Sequence, residues 1–260
     1  MVNINNNSNF NNSMATEKLN LCIDCGNTRT KVGVFRGDEL IFTDNYTNFG
    51  ISELVYLNEK YFFSACIMSN VSTENIDLEN YLKEKFSSLI MLNEKTRLPV
   101  KNLYEQPETL GKDRIAAVIG AISLKPKSDL LVIDAGTAIT YDFVDANSVY
   151  HGGNIAPGIR MRFKALHTFT NRLPKVEPSE NFSLLGKNTL SAMLNGVMNG
   201  VIFEINGYFD ALKIKYPELS IFLTGGDANY FVSTLKSPIF AEKYLVLIGL
   251  NRILQINVKK

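Results

Sequence analysis

Residues 131–142 read LVIDAGTAITYD, an apolar run that ends in Asp134, turns on Gly136 and resumes as a second apolar strand through Phe143. The chain carries this plan twice. Residues 21–35, LCIDCGNTRTKVGVF, place Asp24, one spacer, Gly26 and a small polar pair ahead of another strand. Two copies about 110 residues apart predict two related halves facing each other across a cleft. At each turn a glycine lets backbone approach a ligand, and free N–H groups and hydroxyls can point at phosphate. An aspartate there repels phosphate unless a cation or a proton intervenes. Asp, Gly and Thr at a strand end are therefore what a nucleotide site with bound metal requires. A single D-x-G-[ST] also occurs in ordinary hairpins, where the aspartate makes an Asx turn. The repetition carries the argument.

With 260 residues, 45% of them hydrophobic and 20% charged, the chain has enough length for one large or two modest cores. The formal net charge is +1, and no dense Lys/Arg block occurs, so nucleic acid and anionic membrane surfaces are not favoured as partners. No apolar run approaches the roughly 20 residues of a transmembrane helix. Residues 1–17 are Asn-rich and lack the apolar stretch of a signal peptide, which predicts a disordered extension ahead of a cytoplasmic domain. Three cysteines without a secretory signal fit a reducing compartment. Cys22 and Cys25 form a C-x-x-C, but the pair straddles Asp24 at a strand end and no second pair completes four ligands, so it reads as a buried strand cysteine beside a turn cysteine. His151 and His167 show no metal-ligand spacing.

The first half predicts the order β-β-β-α-β-α-β, with helices over residues 51–59 and 74–86 and strands over 61–68 and 89–92. A helix of small and apolar residues over 115–122 then has Asp113 and Arg114 at its first turn. The helix dipole favours Asp113 there, as would simple capping. It disfavours Arg114, which needs an anionic ligand or a buried partner. After the second D-x-G copy, residues 150–159 carry glycines and a proline and predict a strand and a sharp turn feeding a helix from Pro157 to about Asn171. Residues 171–183 read as an exposed loop or a mobile flap. A long helix follows from Gly186 to about Lys215, and Gly196, Gly200 and Gly207 on it predict close approach of another helix, within the chain or in a second copy. Residues 219–228 give a strand, Gly225-Gly226 and a helix start, a platform suited to a base or ribose. Residues 244–254 supply a last apolar helix.

The motifs stand in the order D-x-G-N-T-x-x-K (24–31), Y-x-x-P-x-x-L-G-x-D-R (104–114), D-A-G-T-A-x-T-x-D (134–142), G-G-x-I-x-P-G (152–158) and T-G-G-D (224–227). This series resembles the type III pantothenate kinases, within the actin-like, acetate- and sugar-kinase superfamily. The resemblance runs from about residue 19 to 255. It implies an α/β fold of two actin-like (ribonuclease H-like) domains, residues 18–125 and 126–260, with mixed sheets flanked by helices. The implied activity is phosphorylation of pantothenate by ATP. Matched by position, Asp24, Cys25, Gly26, Asn27, Thr28, Arg29, Thr30 and Lys31 would surround the ATP phosphates, with Thr137 reaching them from the other half. Asp134 would hold a monovalent cation, K⁺ or NH₄⁺, and Mg²⁺ would accompany ATP. Tyr104, Gly111, Lys112, Asp113 and Arg114 would hold pantothenate, with Asp113 as proton acceptor and Arg114 gripping the substrate carboxylate in a bidentate fork. Thr189 would reach the site of a partner subunit in a homodimer. Ser69-Asn70-Val71 departs from the pattern where a second serine is expected. No G-x-x-x-x-G-K-[ST] occurs, which excludes a P-loop kinase. Another kinase of the superfamily would keep both D-x-G turns without needing Tyr104 or Gly111-x-Asp113-Arg114, and a non-catalytic regulator would have no need of Asp24, Asp113 and Asp134 together.

Overall fold

The computed structural model describes residues 18–26, 28–70, 76–235 and 238–258. The Asn-rich extension, Asn27 and Val71 lie outside them.

The first half begins as a three-stranded meander, β1 (Leu19–Cys25), β2 (Thr30–Arg36) and β3 (Glu39–Tyr46). Helix α1 (Ile51–Tyr61), strand β4 (Phe63–Asn70), helix α2 (Ile76–Lys85) and strand β5 (Leu89–Met91) follow. The sheet order is β3-β2-β1-β4-β5, antiparallel through the meander and parallel from β1 to β5. Strand β1 is apolar with little alternation because both of its faces are buried. A two-residue strand β6 (Lys101–Asn102) and a 3₁₀ turn at Pro107–Thr109 lead to helix α3 (Lys112–Leu124).

The second half repeats the plan. Strands β7 (Leu130–Ala135), β8 (Ala138–Val144) and β9 (Val149–Pro157) form a meander, followed by helices α4 (Ile159–Thr168) and α5 (Thr189–Lys213). Strand β10 (Ser220–Thr224), the short helix α6 (Asn229–Val232), strand β11 (Ile239–Ala241) and helix α7 (Leu245–Asn257) complete it. The sheet order is β11-β10-β7-β8-β9-β6. With β6 removed from the edge, this is the order of the first sheet, strand for strand and with the same pairing senses.

One departure from the sequence reading has a local cause. Residues 150–157 make no sharp turn; they run as β9, and their glycines absorb a register shift against β8 between Phe143 and Val144. Residues 171–183 form the expected irregular, largely exposed loop, tied at its end, where Ser183 N–H donates to Asn195 Oδ1 at 3.2 Å and Asn199 Nδ2 donates to the Ser183 carbonyl at 2.7 Å.

The two lobes share an inner core. Helix α3 packs on β7 and β8, α7 packs on β1, β2 and β4, and the two helices cross face to face. At the crossing, a Cβ on Gly120 would meet the Leu245 carbonyl and one on Gly249 would meet the Ala116 carbonyl, so only glycines allow this approach. Around it lies a cluster that includes Cys22, Phe35, Ile115, Val118, Leu245 and Leu250. Among the described residues, no helix is long and apolar enough to cross a membrane.

Candidate active site

The site is built on the ends of the equivalent strands β1 and β7. Asp24 ends the inward-facing row of β1, 7% exposed, and the strand register sets Lys31 opposite it on β2 and Ser69 opposite it on β4. Burial pushes its carboxyl up to about 7; Lys31 opposes the rise, Asp113 and Asp134 add to it, and the Ser69 hydroxyl draws it back. Asp134, half-buried at the same place on β7, is raised to about 6 by burial, with Lys31 again opposing and Asp113 and Asp142 contributing. Asp24, Lys31, Asp113 and Asp134 therefore sense one another's charge, although they come from both lobes and from the first turn of α3.

Residues 24–31 divide by environment. Gly26, Thr28 and Arg29 are exposed, and Gly26 N–H closes the turn on the Arg29 carbonyl at 3.1 Å. Cys25 and Thr30 are buried within strands. Cys25, expected at a turn, is instead the last residue of β1 and packs in the outer core of the first lobe with Leu21 and Ile23. On the other side Thr137 is exposed, Gly136 N–H donates to the Ala138 carbonyl at 3.0 Å, and Gly158 N–H donates to the Thr137 carbonyl at 3.1 Å. The T-G-G-D segment abuts the same turn. Gly225, at φ 97°, lies so close to Asp134 that a Cβ would strike its Oδ1, and Asp227 N–H donates to the Ala135 carbonyl at 2.9 Å. Arg160, at the start of α4, pairs with Asp227.

At α3, Gly111 is the N-cap and Lys112 and Asp113 are half-buried in the first turn. Asp113 Oδ1 accepts from Arg114 N–H at 2.9 Å, so one of its oxygens satisfies the helix start. Arg114 is 5% exposed and has found a buried partner. Its Nε and Nη2 both donate to Asp142, Nη2 at 2.6 Å to Oδ1, and Nη2 also donates to the Tyr150 hydroxyl at 3.3 Å. The fork expected to grip a substrate carboxylate is thus closed on Asp142. Burial would lower the Arg114 pKa, but the hydrogen bonds and charge of Asp142 outweigh it and keep the guanidinium ionised. The Tyr104 ring centre lies 5.8 Å from Arg114 Cζ. Asp142 and Tyr150 received no role from the sequence. The one available signal was an aspartate on the inward row of a strand, at the end of the D-A-G-T-A-x-T-x-D motif.

Thr189 is exposed at the first position of α5, which packs in the outer core of the second lobe. Carboxylate oxygens are suitable donors for hard cations, and buried carboxylates with raised pKa values gain most from one. Among the described residues no group of three or more His, Cys, Asp and Glu forms a ready-made metal site, so an ion here would take further ligands from phosphate, carbonyls or water.

Comparison with known proteins agrees with this geometry. The family model described as type III pantothenate kinase matches residues 20–211. A type III pantothenate kinase of Phocaeicola vulgatus is 47% identical over 241 residues, covering 93% of this chain and 100% of the relative. Among solved structures, a Campylobacter jejuni protein described as a Baf family transcriptional activator superposes with a TM-score of 0.61 at 25% identity, covering 91% of this chain and 98% of its own. The ROK hexokinase of Thermus thermophilus superposes with a TM-score of 0.53 at 13% identity, covering 93% and 100%. The hexokinase likeness speaks for the fold alone, two actin-like lobes. Motif order, paired aspartate turns and a match over most of the chain converge: this protein belongs to the type III pantothenate kinase family.

Proposed function

We propose that the chain transfers the γ-phosphoryl group of ATP to the primary hydroxyl of pantothenate, giving 4′-phosphopantothenate, the first step towards coenzyme A. The observation that carries this reading is the placement of Asp24 and Asp134 at matching ends of the equivalent strands β1 and β7, with Lys31 opposite Asp24 on β2 and Asp113 in the first turn of α3, close enough to influence both carboxylates. Phosphoryl transfer needs in-line positioning and neutralisation of developing charge more than covalent chemistry. In this reading residues 24–31 and Thr137 surround the phosphates. Tyr104, Gly111, Lys112, Asp113 and Arg114 hold pantothenate, and Asp113 accepts the hydroxyl proton. Because Asp142 occupies Nε and Nη2, Arg114 would act on the substrate from beside Tyr104 and not through an open bidentate fork. Mg²⁺ with ATP, and K⁺ or NH₄⁺ at Asp134, would supply neutralisation of the phosphate oxygens. A regulatory protein, the description attached to the Campylobacter jejuni structure, would not need Asp24, Asp113 and Asp134 together.

The same proposal includes a division of the chain into residues 18–125 and 126–260, a cytoplasmic location, and a homodimer through α5. A Cβ on Gly196, Gly200 or Gly207 meets nothing within 4 Å among the described residues, so these glycines do not serve a seam within the chain. Leu190 and Phe203 are exposed on the same helix. In such a dimer Thr189 would complete the partner's site.

A coupled ADP-release assay with pantothenate, with and without K⁺ or NH₄⁺, tests the activity. Turnover that needs pantothenate is expected, and its absence under both conditions refutes the reading. In the same assay Asp113→Asn should lose about 100-fold or more of kcat with ATP binding nearly intact, the usual scale for a general base. Retained activity would remove Asp113 from that role.

A further inference from the structure

We propose that Asp142, acting with Tyr150, is a positioning residue of the phosphoryl-transfer site: it sets Arg114 and, through it, the first turn of α3 that carries Asp113. The proposal rests on the pantothenate kinase reading above. Asp142 is 0% exposed on β8 and Tyr150 is 0% exposed on β9. The carboxylate takes Arg114 Nε at 3.1 and 3.2 Å and Nη2 at 2.6 Å, and the Tyr150 hydroxyl donates to its Oδ1 at 2.7 Å. Tyr104 closes the outer side, its ring 5.8 Å from Arg114 Cζ and 6.3 Å from the Tyr150 ring. The backbone N–H of Arg114 in turn donates to Asp113 Oδ1, so the residue whose side chain Asp142 holds is bonded through its main chain to the group assigned to proton transfer.

The strands are shaped for this arrangement. Asp142 pairs with Gly153 and Phe143 with Gly152, but the register then slips and Val144 pairs with Tyr150. In an uninterrupted ladder Tyr150 would project to the face opposite Asp142; one extra residue reverses that parity. The bulge therefore brings the hydroxyl and the carboxylate to the same face. A Cβ on Gly153 would lie 2.7 Å from Asp142 Oδ1, so a side chain there would displace the carboxylate. A buried ion pair adds little net stability over apolar side chains of similar volume. Stability alone gives no reason for the pair, whereas fixing an arginine beside Tyr104 and at the first turn of α3 does.

The test uses the full chain with Asp142→Asn and Tyr150→Phe, measuring kcat, both KM values and amide hydrogen exchange over residues 112–115. Losing charge-assisted bonds to Arg114 should raise KM for pantothenate about 10-fold or more while KM for ATP stays within about 2-fold. Tyr150→Phe, which leaves the ion pair, should shift pantothenate KM in the same direction by a smaller factor. Exchange at the first turn of α3 should accelerate in Asp142→Asn relative to the rest of that helix. Equal rises in both KM values, or a Tyr150→Phe enzyme with wild-type values for both, overturns the proposal. If the wild type shows no pantothenate-dependent turnover, the functional reading fails, and unchanged exchange at residues 112–115 in Asp142→Asn then overturns the positioning role on its own.

Discussion

Asp24 and Asp134 occupy matching strand ends, and both hold a carboxylate where negative charge is costly. For Asp24 the consequence is a pH-dependent cost to the protein without nucleotide. Its pKa rises from 3.8 to about 7 on folding, chiefly through burial, so between those values the folded chain binds more protons than the unfolded one. Stability therefore falls as pH rises through this window, and the cost is complete above it. Asp24→Asn, which mimics the protonated form, should raise the unfolding midpoint at pH 8 by an amount equivalent to a few kcal/mol, at about 1.4 kcal/mol per unit, and change it little at pH 4. A midpoint at pH 8 equal to or below the wild type would refute this. The carboxylates at the turns were legible in the sequence because their motifs are local and repeated. Asp142 and Tyr150 were not, because their meaning comes from Arg114, 28 and 36 residues away on another element. Whether the Arg114 fork grips a substrate or a buried partner is decided only by packing, which closes it on Asp142.

At the level of elements, the first half was legible in order because its strands are long apolar runs and its helices are separated by clear polar breaks. Strands β6 and β11, of two and three residues, carry no period and exist only because longer neighbours offer them an edge. β9 was obscured by its glycines, which signal a turn in sequence and here permit a bulge. The crossing of α3 and α7 was equally hidden, since neither Gly120 nor Gly249 differs in sequence from any other helical glycine. Gly249→Ala would drive a methyl group into the Ala116 carbonyl of α3. Overpacking of this kind costs about 1–3 kcal/mol. Thermal or denaturant unfolding should register that loss, and an unchanged midpoint would show that the helices separate freely.

Across the whole molecule, the matching strand orders leave one helix over, since α4 and α5 stand between β9 and β10 where α1 alone stands between β3 and β4. Helix α5 buries one face in the second lobe and leaves Phe203 59% exposed on the helix that carries Gly196, Gly200 and Gly207, where an added Cβ would meet nothing within 4 Å among the described residues. The dimer proposal is most open to test there. The wild type should sediment as a dimer and Phe203→Asp should shift it towards monomer, because a charge at an apolar contact is costly while the same charge in water is not. A wild type that remains monomeric at all concentrations would refute it. The exchange of partners between lobes, with α7 covering β1, β2 and β4, also bears on how the chain is made. On the ribosome, β1 and β2 are synthesised more than two hundred residues before the helix that covers their inner face. Cys22 and Phe35 must wait uncovered for Leu247 and Leu250, so late-forming, long-range contacts complete the early lobe. Ribosome-bound chains stopped before residue 245 are, on this account, the species most dependent on chaperones.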